Sequence, residues 1–165
     1  MKKLRVLLAS AIMMLSVGVV SAQKIAHLNY EEVLSLMPET KKATDDLDKF
    51  SKTKDAELKK LSDAWSADVQ KFEAEAAKMT DAQRQAKGQE LQKTQQNLQQ
   101  MLNTAQQDIQ KRRETLLQPI INKLNAAIEK AAKANAYEYI IDSSALIYRG
   151  GTDATAAVKK ELGLK

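Results

Sequence analysis

The residues able to do chemistry are few and far apart. His27 is the sole histidine and cysteine is absent, so a metal site would need carboxylates to converge on a short strand. An ordinary strand histidine is the better reading. Gly150-Gly151 is followed by neither the glycine spacing nor the lysine-serine pair of a phosphate loop, and reads as a strand end. Asp45, Asp46, Asp48, Glu73 and Glu75 are mixed with lysines on a helix surface, where carboxylates without a pocket are solvated charges. No catalytic constellation emerges, so the chain reads as no enzyme, with no cofactor and no metal. Above this background stands a glutamine-rich stretch, Gln92, Gln95, Gln96, Gln99, Gln100, Gln106, Gln107 and Gln110, with Lys93 and Met101 among them. Uncharged polar groups with scattered cations make many weak contacts; taken singly, each is also an ordinary helix surface residue.

The elements that position these residues begin after a leader. Lys2, Lys3 and Arg5 precede an apolar run from Val6 to Val20, and Val20 and Ala22 are the small residues of a cleavage site. Residues 1–22 therefore read as a secretory signal peptide with the mature chain starting at Gln23. The run is shorter than the roughly 20 apolar residues that an anchor requires. Loss of the leader lowers the formal charge from +5 to +2, leaving 23 basic and 21 acidic residues. Charges of alternating sign without a basic face argue against nucleic acid as a partner, and without cysteine no disulfide staples the exported chain.

Lys24 to Leu28 reads as a strand, and Asn29 with Glu32 as the start of a short helix running toward Met37. Pro38 ends it and suits the first turn of the next helix. From there no glycine or proline appears before Gly88. The apolar positions Leu47, Phe50, Leu58, Leu61, Trp65, Val69, Phe72 and Ala76, with Lys54 at the missing step, repeat with an eleven-residue period that predicts a nearly straight seam. Leu91, Leu98, Leu102, Ala105, Ile109, Leu116, Ile120, Leu124, Ala127 and Ala131 follow the same period, with Arg113 as the polar step. Trp65 and Phe72 thus read as packing residues. Thr80 and Gln83 have the spacing of a capping box, which predicts a chain reversal near 79–82. Facing residues should then have numbers adding to about 160, which pairs Leu58 with Leu102, Trp65 with Thr94 to Gln95, and sets Gly88 beside Phe72. The arm should be about 60 Å long and too thin to enclose a core.

The second helix runs on to about Asn135 with a wider apolar face and a kink expected at Pro119. Tyr137 to Asp142 and Ala145 to Tyr148 alternate like strands about a Ser143-Ser144 turn, and Asp153 starts a last helix closed by Gly163. The fold class is mainly α with a small β base: a helical hairpin arm, residues 47–113, on a three-stranded sheet within a base of residues 23–46 and 114–165. Three short strands bury little on their own, so copies of the chain are expected to close a shared core through Ile25, Leu28, Tyr139, Ile141, Leu146 and Tyr148.

This order of elements resembles the Skp/OmpH family of periplasmic chaperones across the whole mature chain. The resemblance rests on Lys24-Ile25-Ala26-His27-Leu28-Asn29, on Met37-Pro38-Glu39-Thr40-Lys41-Lys42-Ala43, on Leu116-Leu117-Gln118-Pro119-Ile120-Ile121, and on Tyr139-Ile140-Ile141-Asp142 through Leu146-Ile147-Tyr148 to Asp153. It implies a periplasmic homotrimer whose strands form a barrel and whose arms surround a cavity for unfolded outer-membrane proteins, held without ATP. The client contacts expected on the arm are Lys78, Arg84, Lys87 and Lys93 toward acidic segments, and Met79 and Met101 toward apolar ones. Contact with a membrane surface is compatible with this reading. The competing readings are a coiled-coil spacer of the cell envelope and an adaptor for one folded partner.

Overall fold

The computed structural model describes residues 23–164; the predicted leader, 1–22, lies outside them. Strand β1, Ile25–Leu28, leads into helix α1, Tyr30–Leu36. Asn29 starts α1 as expected: its Oδ1 accepts from the Glu32 N–H and its Nδ2 donates to the Glu32 carboxylate. Met37 is extended, as a residue before proline must be, and Pro38 occupies the first turn of helix α2, Pro38–Glu75. A 3-10 turn at Ala76–Lys78 reverses the chain into helix α3, Asp81–Asn135. The 55 residues of α3 span about 80 Å, and the helix continues through Pro119. It stops where Ala136 takes the left-handed conformation, the Tyr137 N–H donating to the Ala132 carbonyl at 3.0 Å.

Strand β2, Tyr139–Asp142, and strand β3, Thr152–Asp153, flank β1 in a three-stranded parallel sheet of order β2-β1-β3. Helix α4, Thr155–Leu162, closes the chain at left-handed Gly163. The Asp153 carboxylate accepts from the Thr155 N–H at 2.8 Å and starts this helix.

The third strand departs from expectation. Ala145 to Tyr148 forms no strand; Ser143–Ala145 is a 3-10 turn and the pairing residues are Thr152 and Asp153. Asp142 Oδ1 accepts from the Ser144 N–H and bends the chain away. A tight turn would have returned an antiparallel strand, whereas a parallel strand on the far edge of β1 requires a crossover.

Alternation along the sheet sends Ala26, Leu28 and their neighbour Ile140 to one face and Ile25, His27, Tyr139 and Ile141 to the other. The first face covers a core formed by Leu28, Val33, Met37, Ala43, Ile120, Leu124, Ala127, Ala131 and Val158. One chain thus builds a compact core of its own. This corrects the premise that Leu28 lacks burial: it is 2% exposed among residues of its own chain. Thr155 and Lys159 tie α4 to this unit, the hydroxyl accepting from the Asn29 N–H and the ammonium meeting Glu32 at 2.5 Å.

Candidate functional site

The arm is the surface to which the sequence assigns most candidate residues. Along α2 the seven apolar seam positions from Leu47 to Phe72 and Lys54 are half-buried, as is Ala76 in the turn, and nearly every residue between them is exposed. The amphipathic period therefore fits the facing helix. Lys54 is the polar step: its ammonium reaches Asp108 at 2.9 Å and lies 5.4 Å from the Phe50 ring centre. The Arg112 guanidinium approaches the same ring at 5.9 Å. Opposite charge across the two helices thus satisfies the interruption that the seam pattern marks.

Register deviates toward the tip. Lys54 with Asp108 and Glu39 with Lys123 lie close to the predicted register. The Trp65 indole N–H instead donates to the Leu91 carbonyl at 3.1 Å, one turn short of Thr94 to Gln95. The cause is the reversal itself, which occupies Ala76 to Thr80 and so precedes the expected 79–82. Gly88 accordingly has nothing within 4 Å of the place where a Cβ would stand, so it makes no room for Phe72.

The tip brings together three of the six predicted contact residues. Lys78, Met79 and Lys87 surround an opening of about 410 Å³ with Glu75 and Gln83. Thr80 and Gln83 form the expected capping box, the Gln83 N–H donating to Thr80 Oγ1 and the Thr80 N–H to Gln83 Oε1. Arg84 does not stand free. Its guanidinium donates to the Ala76 and Met79 carbonyls, at 3.1 and 3.2 Å, and pairs with Asp81. It therefore serves to close the turn, because a 3-10 reversal leaves carbonyls that need donors. Lys87 is held by Glu90 at 3.0 Å, a hydrogen bond that raises its pKa above the ordinary lysine value. Lys93 is exposed on α3.

Met101 stands apart, on the order of 20 Å along α3 from Lys87. It is 40% exposed, and Leu102, predicted to face Leu58, is 38% exposed. Between the helices here opens a cleft of about 330 Å³, lined by Leu58, Ala105 and Met101 and by the polar groups of Lys54, Glu57, Asn97, Gln100 and Thr104. Sequence reasoning placed Leu102 in the seam at this step and so missed the cleft. The available signal was the adjacent Met101-Leu102 pair, since two neighbouring positions on a helix cannot both face one partner helix.

At the base, the second face of the sheet presents Ile25, Tyr139 and Ile141. Leu146 is half-buried, whereas Ile147 and Tyr148 are fully or nearly fully exposed. The Tyr148 ring lies so close over Gly150 that a side chain there would collide with it. His27 shares this face but is 9% exposed, its Nδ1 4.0 Å from Asp153. Hydrogen bonds from the Thr155 side chain and N–H hold Asp153 below the usual carboxylate range, with smaller contributions from His27 and Lys159. Among the described residues no group of His, Asp or Glu is placed to hold a metal ion, and no helix is long and apolar enough to cross a membrane.

This architecture, a long helical hairpin interrupting a small parallel sheet, has known counterparts. Residues 24–162 match the family of OmpH-like outer membrane proteins. The chain belongs to that family. It is 24% identical over 148 residues to the chaperone protein Skp of Photorhabdus laumondii, covering 89% of this chain and 90% of that protein. The same identity and coverage relate it to the chaperone protein Skp of Photorhabdus luminescens. Its fold matches the crystal structure of an OmpH-like protein from Caulobacter crescentus with a TM-score of 0.76 at 16% identity, over 86% of this chain and 85% of that one.

Proposed function

We propose that this OmpH-like protein is an ATP-independent holding chaperone of the periplasm, which binds unfolded outer-membrane proteins and keeps them from aggregating. The observation that carries the proposal is the arm itself: beyond the base, the two helices, 38 and 55 residues long in all, pack on each other along one seam and are otherwise mostly exposed. Such an arm offers a long surface but no enclosed active site. The curated relatives named chaperone protein Skp support the same reading. Three chains associate through the outward sheet face, Ile25, Tyr139 and Ile141, together with Leu146 and Tyr148. Their arms then surround a client and hold it by many weak contacts, so that affinity comes from multivalency. The exposed cations Lys78 and Lys93 attract acidic segments, Lys87, already paired with Glu90, adds to that field, and Met79 and Met101 adapt to apolar ones. Release follows by mass action when the client folds in the membrane.

Light scattering of an unfolded barrel protein diluted from denaturant tests the proposal. The protein should suppress aggregation in proportion to its concentration. Removing Leu58 to Leu102 and rejoining the helices with a tight turn should leave the number of chains in the assembly unchanged and abolish suppression. Equal protection by the shortened protein would exclude the arms as the binding surface.

A further inference from the structure

We infer that the mid-arm cleft between α2 and α3 is an anchor site for one uncharged apolar or aromatic side chain of an extended polypeptide. The inference deepens the chaperone reading and rests on it for the identity of the polypeptide as a non-native chain. Three observations lead to it. First, a volume of about 330 Å³ is at the lower end of the ~300–1,000 Å³ of small-molecule pockets, which suits a single large side chain rather than a cofactor. Second, its floor is apolar, from Leu58, Ala105 and Met101, and Met101 and its neighbour Leu102 are the large apolar side chains that the described arm leaves exposed. Third, its rim on α3 is uncharged.

The rim decides what can enter. Asn97, Gln100 and Thr104 line the α3 side, and from Thr94 to Gln107 that helix carries no charged residue at all. On the α2 side Lys54 is already engaged with Asp108 at 2.9 Å, which leaves Glu57 as the free charge. An anionic side chain would give up its hydration without gaining a partner, and a cationic one would meet only Glu57, an exposed carboxylate whose surface pairing offsets little of that loss. An apolar or aromatic side chain gains burial instead. The amide groups of Asn97 and Gln100 can meanwhile donate to and accept from the unpaired backbone on either side of it, whatever the sequence there. Extended non-native chains offer this combination of free backbone and exposed large side chains. The cleft thus places a discriminating contact midway along an arm whose tip selects by charge.

The absence of cysteine allows a single fluorescent label at Gln100→Cys on the rim and, as a control, at Asp63→Cys on the exposed side of α2. Each labelled full-length protein is titrated with a Gly/Ser-rich peptide bearing one Phe and with the same peptide bearing Ser instead. The Gln100 label should respond to the Phe peptide at about tenfold or more lower concentration than to the Ser peptide, the ratio expected for burying one such side chain. The Asp63 label should not discriminate. Met101→Glu, a change at an exposed position whose folding is checked by circular dichroism, should remove the discrimination, and Met101→Leu should restore it. Equal responses to the two peptides, an equal response at Asp63, or discrimination surviving Met101→Glu would overturn the inference. Failure of the unlabelled protein to suppress barrel-protein aggregation, with peptide discrimination intact, would overturn the chaperone reading and leave the anchor site standing.

Discussion

Along its last third, α3 buries Ile120, Leu124, Ala127 and Ala131 against β1, α1, α2 and α4, whereas in the arm the same helix buries only Leu91 and Ala105 against one partner. The base holds its helix ends from several sides, so Met37, Val33, Leu124 and Val158 leave water completely. The arm has one seam, and everything outside it stays wet. The arm's stability must then come from packing along that single seam, helped by helix propensity along a sequence free of proline and nearly free of glycine. Such a structure can expose a long surface and bend locally without unfolding the base.

The sharpest break of this comparison is a cavity in each region. Leu124 is 0% exposed, and Leu124→Ala should cost about 2–5 kcal/mol in denaturant unfolding. Leu58→Ala at a half-buried seam position should cost roughly 1 kcal/mol. Equal costs would mean that the arm is as tightly packed as the base. Next in size is the tip: Thr80→Ala removes the capping box and should cost about 1 kcal/mol. In hydrogen exchange the loss should appear as faster exchange around Asp81 to Arg84, while Leu124 and Val33 amides remain protected.

The smallest effect concerns the junction. Glu39 at the root of α2 accepts from Lys123 of α3, and that bond, then its own backbone N–H, lowers the Glu39 pKa below 4.5. A depressed carboxylate pKa stabilises the folded state above the unfolded value and ceases to do so as pH falls through the folded one. Acid unfolding curves of the wild type should therefore lose a small stability increment below about pH 4.5, and Glu39→Gln should flatten that slope. An unchanged slope would show that the root is held by packing of Ala43 and Ile120 alone.

The arm was the more legible region. A period in the apolar residues reports which positions leave water, and the seam of α2 follows that pattern residue by residue, down to Lys54 as the polar step. Caps at Asn29 and Thr80 were readable because a short side chain and a partner three residues later satisfy local amides. Family membership was also visible in the order of elements. The candidate site was less legible. Arg84 counts as a free cation until the fold places the Ala76 and Met79 carbonyls beside it, and the mid-arm cleft depends on which of Met101 and Leu102 turns toward Leu58.

By itself, then, the sequence determined the helices, their boundaries, the half-buried seam and the position of the capped reversal to within a few residues, because all of these follow from local dihedral preference and the spacing of apolar groups. Only the tertiary structure decided that Leu28 is satisfied within its own chain, that β3 forms at Thr152–Asp153, that Leu146 to Tyr148 stays outside the sheet, and that a cleft opens beside Leu58. These outcomes depend on which distant segments meet. Strand pairing across a crossover and packing between facing helices are set by the whole core at once.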